Sequence, residues 1–416
     1  MPRPRSKRRS AWPLLALLAL APTRAPASDY ETPPVLEAKK ILPAKLQRGK
    51  GFHVADRVPT DGLTTEFVIQ SDVGDFPARG SRILELRERE IVAIQKLRAM
   101  DDSKVFTNAL KGTAERPIKA AVHMVKNPSE TLKGLPDGIG RFFDRVSTGT
   151  ARAYDAVASA QSAGDGAAVV ATKGLEATRD VLGYEQEKRN LAKRLGVDPY
   201  TSNQELAEAL DHVAYVAFAG RLGVNTLISV AVPGSLIITG TTATNNIVYD
   251  TPRGDLVVKV EERLRAAGAT DEQLRAFQRN PNLTLSIQTG IAESLSSLDG
   301  VVGRPAVVDL AAGVTSEDQA RFVLEGLVLL ARHHGKEKRI AELLVKGPVM
   351  ARETDGSLVV PAPVDFVSWT ERVARFADRE DLTAPKRTIL LTGQMTPRAK
   401  LELQGRGWIP KEKTPL

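Results

Sequence analysis

The chain reads as an α+β protein, mainly α with small antiparallel β pieces: a multi-helix body, an N-terminal β-hairpin or meander and a small C-terminal α/β cap. Three observations predict this. Between Phe52 and Gly80, runs such as FHVADRV and LTTEFVIQ alternate apolar with polar residues around the turn signal Pro59-Thr60-Asp61-Gly62. From Ser81 to Gly335 the apolar residues recur at helical spacing, punctuated by cap and stop residues. Residues 336–416 return to short apolar runs bounded by Gly and Pro.

Residues 1–27 read as a signal peptide. Arg3, Arg5, Lys7, Arg8 and Arg9 form a basic start, Ala11 to Ala21 is a Leu-rich apolar core, and Ala25-Pro26-Ala27 fits a small-x-small cleavage site. The cut is expected after Ala27, placing the mature protein in the periplasm or outside the cell. The apolar run is shorter than the roughly 20 residues a spanning helix needs. Arg8-Arg9 leaves twin-arginine export open beside the general route. Removing the leader takes away six basic residues and no acid, so the net charge of +8 falls to +2 and the argument for nucleic acid as a partner loses its support. With no cysteine there is no disulfide framework, thiol nucleophile or Cys-ligated metal. Aromatic residues at 5% weigh against stacked sugar or base platforms.

Residues 28–51, with three prolines and little periodicity, read as an extended lead-in, and 52–80 as a small antiparallel β element with Asp75 to Gly80 as a possible third strand. Residues 81–200 form a helical region. Ser81 is the expected N-cap of SRILELREREIVAIQKLRAM, with Ile83, Leu84, Ile91, Ile94 and Leu97 on one apolar stripe and Arg87, Glu88, Glu90 and Lys96 in water. Further helices are expected over 103–125, around Arg141 to Val146, and through the Ala-rich stretch 149–180, then over Leu182 to Leu195, ended by Gly196. Ser202 with Glu205 has capping-box spacing for the next helix.

Residues 201–335 read as a helical domain. Helices are expected over 253–267 and 271–279 around Gly268, capped by Thr270, then over 283–298, 304–312 and from Thr315 or Ser316 to His334, stopped by Gly335. In the C-terminal α/β region, 336–416, a hairpin turns at Asp355-Gly356, a helix covers Phe366 to Asp378, Arg387 to Thr392 is a strand, and Pro397 opens a helix closed by Gly405 to Trp408.

One stretch breaks the pattern. Leu222 to Tyr249 carries no charged side chain over 28 residues, in a chain where 26% are Asp, Glu, Lys or Arg. Pro233-Gly234 interrupts it, and Val, Ile and Thr dominate where a spanning helix would use Leu and Ala. Three readings stay open: a buried element, a membrane-inserting hairpin, or a partner-binding surface. Leu227, Ile228, Leu236 and Ile237 are the candidate partner or membrane contacts.

The segments NPSETLKGLPDGIGRFFDRV (127–146), LGYEQEKRNLAKRLGVDPYTSN (182–203) and LDGVVGRP (298–305) resemble a family of exported bacterial proteins of unassigned activity. The resemblance implies export and carries over no catalytic residue.

Chemistry leaves few marks. His53, His123, His212, His333 and His334 include no i, i+4 pair, and adjacent His333-His334 at a helix end suit the dipole better than a metal. There is no G-x-S-x-G elbow, no S-x-x-K and no phosphate loop; Ser235, Gly164-Asp165-Gly166 and Arg253-Gly254-Asp255 read as local turns and a helix start. No cofactor or metal is expected, and no catalytic residue is singled out. The leading expectation is an exported, non-catalytic cell-envelope protein that binds a protein partner or a membrane surface. A cysteine-free periplasmic hydrolase with a carboxylate or Ser-His site, and a membrane-inserting protein working through 222–249, are the alternatives.

Overall fold

The computed structural model describes residues 29–101, 183–220 and 238–416. The leader, the helices expected within 103–182 and the contacts Leu227, Ile228, Leu236 and Ile237 lie outside these residues.

The lead-in is not merely extended. It supplies strand β1 (Val35–Glu37), two single-turn helices, α1 (Ala38–Ile41) and α2 (Ala44–Gln47), and strand β2 (Arg48–Gly49). Strands β3 (Phe52–Val54), β5 (Glu66–Ser71) and β6 (Gly74–Arg79) complete an antiparallel sheet in the order β2-β3-β5-β6. Strand β4 (Arg57–Pro59) leaves that sheet and pairs with β1, Val58 opposite Leu36. The tight turn at 61–64 is held by Asp61, whose Oδ1 accepts from the Leu63 and Thr64 amides at 2.9 and 2.8 Å. Along β5 the period of two is plain, with Phe67 and Ile69 buried and Val68 exposed.

Helix α3 (Ser81–Asp101) lies beneath this sheet, and its apolar residues divide between two faces rather than forming one stripe. Leu84 and Ile91 join the core of the sheet, while Leu86, Ala93, Ile94 and Leu97 pack against α4 (183–195) and α5 (Gln204–Ala219). Because the helix is covered on both sides, Glu88 and Glu90 are only 6% and 1% exposed instead of standing in water. Two caps also differ from the sequence reading. Ser81 is already helical, and the acceptor for its amide is Asp365 from the far end of the chain. Helix α5 is capped by Asn203, whose side chain accepts from the Leu206 amide, not by Ser202.

After helix α6 (Thr242–Asp250) come α7 (Arg253–Ala266), α8 (Asp271–Arg279), α9 (Leu285–Ser296), α10 (Arg304–Ala312) and α11 (Glu317–Lys336). Thr270 and Gln273 form a full capping box on α8, and Thr284 and Ser316 cap α9 and α11. Gly335 does not stop α11, which runs one residue further. Helix α9 is enclosed on nearly all sides, and its buried Thr289 and Ser294 hydroxyls donate to carbonyls one turn back, at Leu285 and Gly290.

The C-terminal part is built on a mixed five-stranded sheet in the order β13 (Trp408–Lys411), β11 (Arg387–Leu391), β9 (Leu358–Ala362), β8 (Val349–Glu353), β7 (Ile340–Val345). Strands β7 (Ile340–Val345), β8 (Val349–Glu353) and β9 (Leu358–Ala362) form an antiparallel meander. The expected single hairpin is thus two, because Lys346-Gly347-Pro348 turns the chain once before Asp355-Gly356 does. Strand β10 (Phe366–Val367) and helix α12 (Glu371–Ala377) follow, so Phe366 lies in a strand and the helix starts only after its Thr370 cap. Strand β11 (Arg387–Leu391) runs parallel to β9, β12 (Gln394–Met395) pairs with β10, and α13 (Pro397–Gly405) leads into β13 (Trp408–Lys411). One face of the sheet, with Leu343, Val349, Ala351, Val359 and Leu390, packs on the helical body. The other, with Met350, Leu358, Val360 and Leu391, packs on α12 and α13 around Trp369 and Trp408. Strand β9, apolar at consecutive positions, is buried on both faces as a central strand should be.

Candidate functional site

A cleft of about 880 Å³ opens where the N-terminal sheet, the start of α11 and the carboxyl ends of β9 and β11 meet. Each wall is placed by an identifiable bond. The main chain of the 61–64 turn docks on β10, with the Asp365 and Phe366 amides both donating to the Leu63 carbonyl at 3.1 Å. Asp365 then joins three elements. Its Oδ1 accepts from the Ser81 amide and hydroxyl at 3.2 and 2.5 Å, and its Oδ2 from the Thr65 amide and hydroxyl at 3.3 and 2.7 Å. Gly393 lies against the Asp365 main chain so closely that a Cβ there would overlap its carbonyl.

The lining is amphipathic. Leu36, Ile41, Leu63, Ile83, Phe322 and Phe366 provide apolar surface, and Arg79, Arg82, Arg321, Arg372 and Lys413 stand against Asp61, Asp318, Glu325 and Asp365. Most of these carboxylates are engaged. Glu325 pairs with Arg82 at 3.2 Å; burial pushes its carboxyl above the usual range, with the guanidinium opposing. Asp61 is held below the usual range: the Thr64 and Leu63 amides and the Arg372 guanidinium outweigh partial burial. Its Oδ2 faces two guanidiniums, Arg79 at 3.1 Å and Arg372 at 3.4 Å, both half exposed. Arg321 is buried and anchored on Glu317.

Behind α11, the loop 196–203 forms a buried polar hub. Glu90 accepts from Arg87 at 2.6 Å, Asn203 at 2.9 Å and Thr201 at 2.8 Å. Asp198, with its carboxyl pushed up by burial, accepts from the Ser286 hydroxyl at 2.5 Å and the Tyr200 amide at 2.8 Å. This loop belongs to the second quoted segment, so that segment contains an organising structural centre. His333 is a further buried group, within 2.7 Å of Glu353, whose other oxygen meets Lys338. His334 accepts from the Ile340 amide, and burial and neighbouring Arg339 lower its affinity for a proton. Among the described residues, neither imidazole lines the cleft and neither has a serine hydroxyl among its hydrogen-bond partners. Among the described residues no group of three or more His, Asp and Glu could hold a metal ion.

Of the sequence candidates, the four apolar contacts fall in 221–237, outside the described residues. In the described end of the uncharged stretch, 238–249, Ile238, Thr239, Asn245, Val248 and Tyr249 are buried while Thr241, Thr242, Ala243 and Asn246 are exposed, and Asn245 Oδ1 accepts from the Ile238 and Thr239 amides. No helix among the described residues is long and apolar enough to cross a membrane. Asp61 was legible only as a turn residue, and nothing in the sequence brings Arg79, Arg372 and Asp365 together across nearly 300 positions. Compared with models of protein families, with characterised proteins and with solved structures, the chain matches none.

Proposed function

We propose that the chain is an exported cell-envelope protein without catalytic machinery, which binds an envelope protein or membrane-surface partner through the cleft. In this reading the leader is removed after Ala27, and the N-terminal β element and the C-terminal α/β cap are the two walls between which the partner is held. The observation that carries it is the state of the cleft's carboxylates. An acid or base in a hydrolase must be within reach of substrate. Glu325 instead spends its charge on Arg82, and both oxygens of Asp365 are taken by Ser81 and Thr65. Those groups hold walls in place, while Arg79 and Arg372 remain half exposed at the surface.

Cell fractionation with mass measurement tests the proposal. The expected result is a mature chain beginning at Ser28, found in the envelope fraction and released by a high-salt wash or already free. Recovery of the full-length chain from the cytoplasm would remove the export claim. Resistance to salt with release by detergent would replace the cleft with insertion through 222–249.

A further inference from the structure

We infer that the cleft takes an amphiphilic anion: a molecule with an apolar body of acyl-chain length and a carboxylate or phosphate head. This rests on the reading that the cleft is where the chain binds, and it names the chemistry bound. The first argument is a donor excess at one place. Asp61 spends Oδ1 on two backbone amides, and its Oδ2 faces both Arg79 and Arg372, at 3.1 and 3.4 Å. A guanidinium carries five donors in a planar fork that suits a carboxylate or phosphate. Two such forks on one oxygen leave donors for a second anion, and both side chains are half exposed. Glu66 approaches Arg79 at a long 3.8 Å and does not line the cleft. Lys413, on the cleft wall, is exposed and makes no ion pair among the described residues.

The second argument is the direction the rest of the lining imposes. Arg82 and Arg321 are tied to Glu325 and Glu317, so these charges are balanced, and the cleft they share is lined also by apolar Leu63, Ile83 and Phe322. Asp318, on the cleft lining at the start of α11, repels a like-charged head from that end. An anionic head therefore settles between Arg79 and Arg372, and the body lies along Leu36, Ile41, Leu63, Phe322 and Phe366. The volume lies within the roughly 300–1,000 Å³ of ligand-sized sites. Lipid-derived phosphates and free acyl acids share this chemistry.

Calorimetric titration of the mature chain, below micelle-forming concentrations, separates the possibilities with decanoate, decyl phosphate, decanol and inorganic phosphate. Decanoate or decyl phosphate should bind at least tenfold more tightly than decanol and than inorganic phosphate, and the tighter of the two identifies the source of the head. Arg372→Gln should weaken that anion about tenfold and leave decanol unchanged. Lys413→Gln, at an exposed position, should weaken it severalfold and serves if Arg372→Gln lowers the melting temperature. Decanol binding as tightly as both acids would overturn the inference, as would inorganic phosphate binding as tightly as decyl phosphate. So would acid binding indifferent to both substitutions. If the folded protein binds none of the four, the ligand class is wrong, while the envelope reading stands or falls separately by fractionation.

Discussion

The carboxylate of Asp365 caps helix α3 from 284 positions away, taking both the amide and the hydroxyl of Ser81 on one oxygen. A carboxylate at a helix N-terminus is favoured twice, by the hydrogen bond and by the aligned peptide dipoles. Here the same group also holds Thr65, so one side chain fastens the N-terminal sheet, the long helix and the C-terminal sheet around the cleft.

Asp365→Ala should therefore cost about 2–4 kcal/mol in urea unfolding, since bonds to a charged acceptor contribute about 1.5–3 kcal/mol each and do not add in full. Asp365→Asn keeps one oxygen as acceptor and should lose about half as much. Equal stability of the wild type and the Ala variant would show that the three elements are held by burial alone.

Gly393→Ala tests the same junction sterically. A methyl group there meets the Asp365 carbonyl, and backbone cannot swing aside as a flexible side chain does. Overpacking of this kind costs about 1–3 kcal/mol, occasionally more. The melting temperature should fall, whereas Gly405→Ala, with open space around the added group, should change it little.

How far the sequence reached follows from where its signals are local. Caps at Thr270 and Ser316, the Gly196 stop and Pro397 at the first helical position depend on neighbours within a few residues and could be read off, whereas the sequence pattern places the cap at Thr284 inside its helix. The strand boundaries around Phe366 and Trp408 could not, because apolar runs of that length suit helix or strand until a partner strand is known. Helix α3 failed for a related reason. Its pattern of charges resembles a solvated face, and burial of Glu90 becomes tolerable because Thr201 and Asn203, arriving from far along the chain, join neighbouring Arg87 in donating to it. The cleft depends on Asp61, Arg79, Asp365 and Arg372, whose meeting is a property of the tertiary fold.

Glu88 gives a pH signature. It is buried, its Oε1 has no hydrogen-bond partner among the described residues, and burial together with nearby Glu85 raises its pKa to about 8, with Arg89 and Lys45 opposing. The folded state then holds a proton that the unfolded chain releases near the ordinary carboxyl value. This contribution is complete below about pH 4.5, declines as pH rises and is fully lost above about 8, with a slope of at most about 1.4 kcal/mol per unit. Glu88→Gln removes the titration, so its stability relative to wild type should climb between pH 5 and 8 and level off beyond. A constant difference across that range, in unfolding curves at pH 5, 6, 7, 8 and 9, would mean that Glu88 is not protonated in the native state.

The first described residues tie the chain to its far end. Glu31 Oε2 accepts from the Trp369 amide and the Thr396 hydroxyl, both at 2.6 Å, and the Glu31 amide donates to the Trp369 carbonyl at 2.8 Å. Beneath them Trp369 is buried, with Arg406 over its ring at 4.6 Å, and Arg398 donates to the Asp29 carbonyl. Such a strap, carried by a segment whose Asp29 and Tyr30 are exposed, opens locally before the molecule unfolds, so its loss should appear first in hydrogen exchange. Glu31→Ala leaves the Trp369 amide without its acceptor and should speed exchange there roughly tenfold or more, the change expected for about 1.5 kcal/mol of charge-assisted bonding. Glu31→Gln, which keeps an acceptor oxygen, should fall between the two. The Ile291 and Leu327 amides, deep in the helical body, should exchange as in the wild type. If Trp369 keeps its protection in the Ala variant, the strap is held by the main-chain pairing of Glu31 alone, and the carboxylate serves Thr396 only.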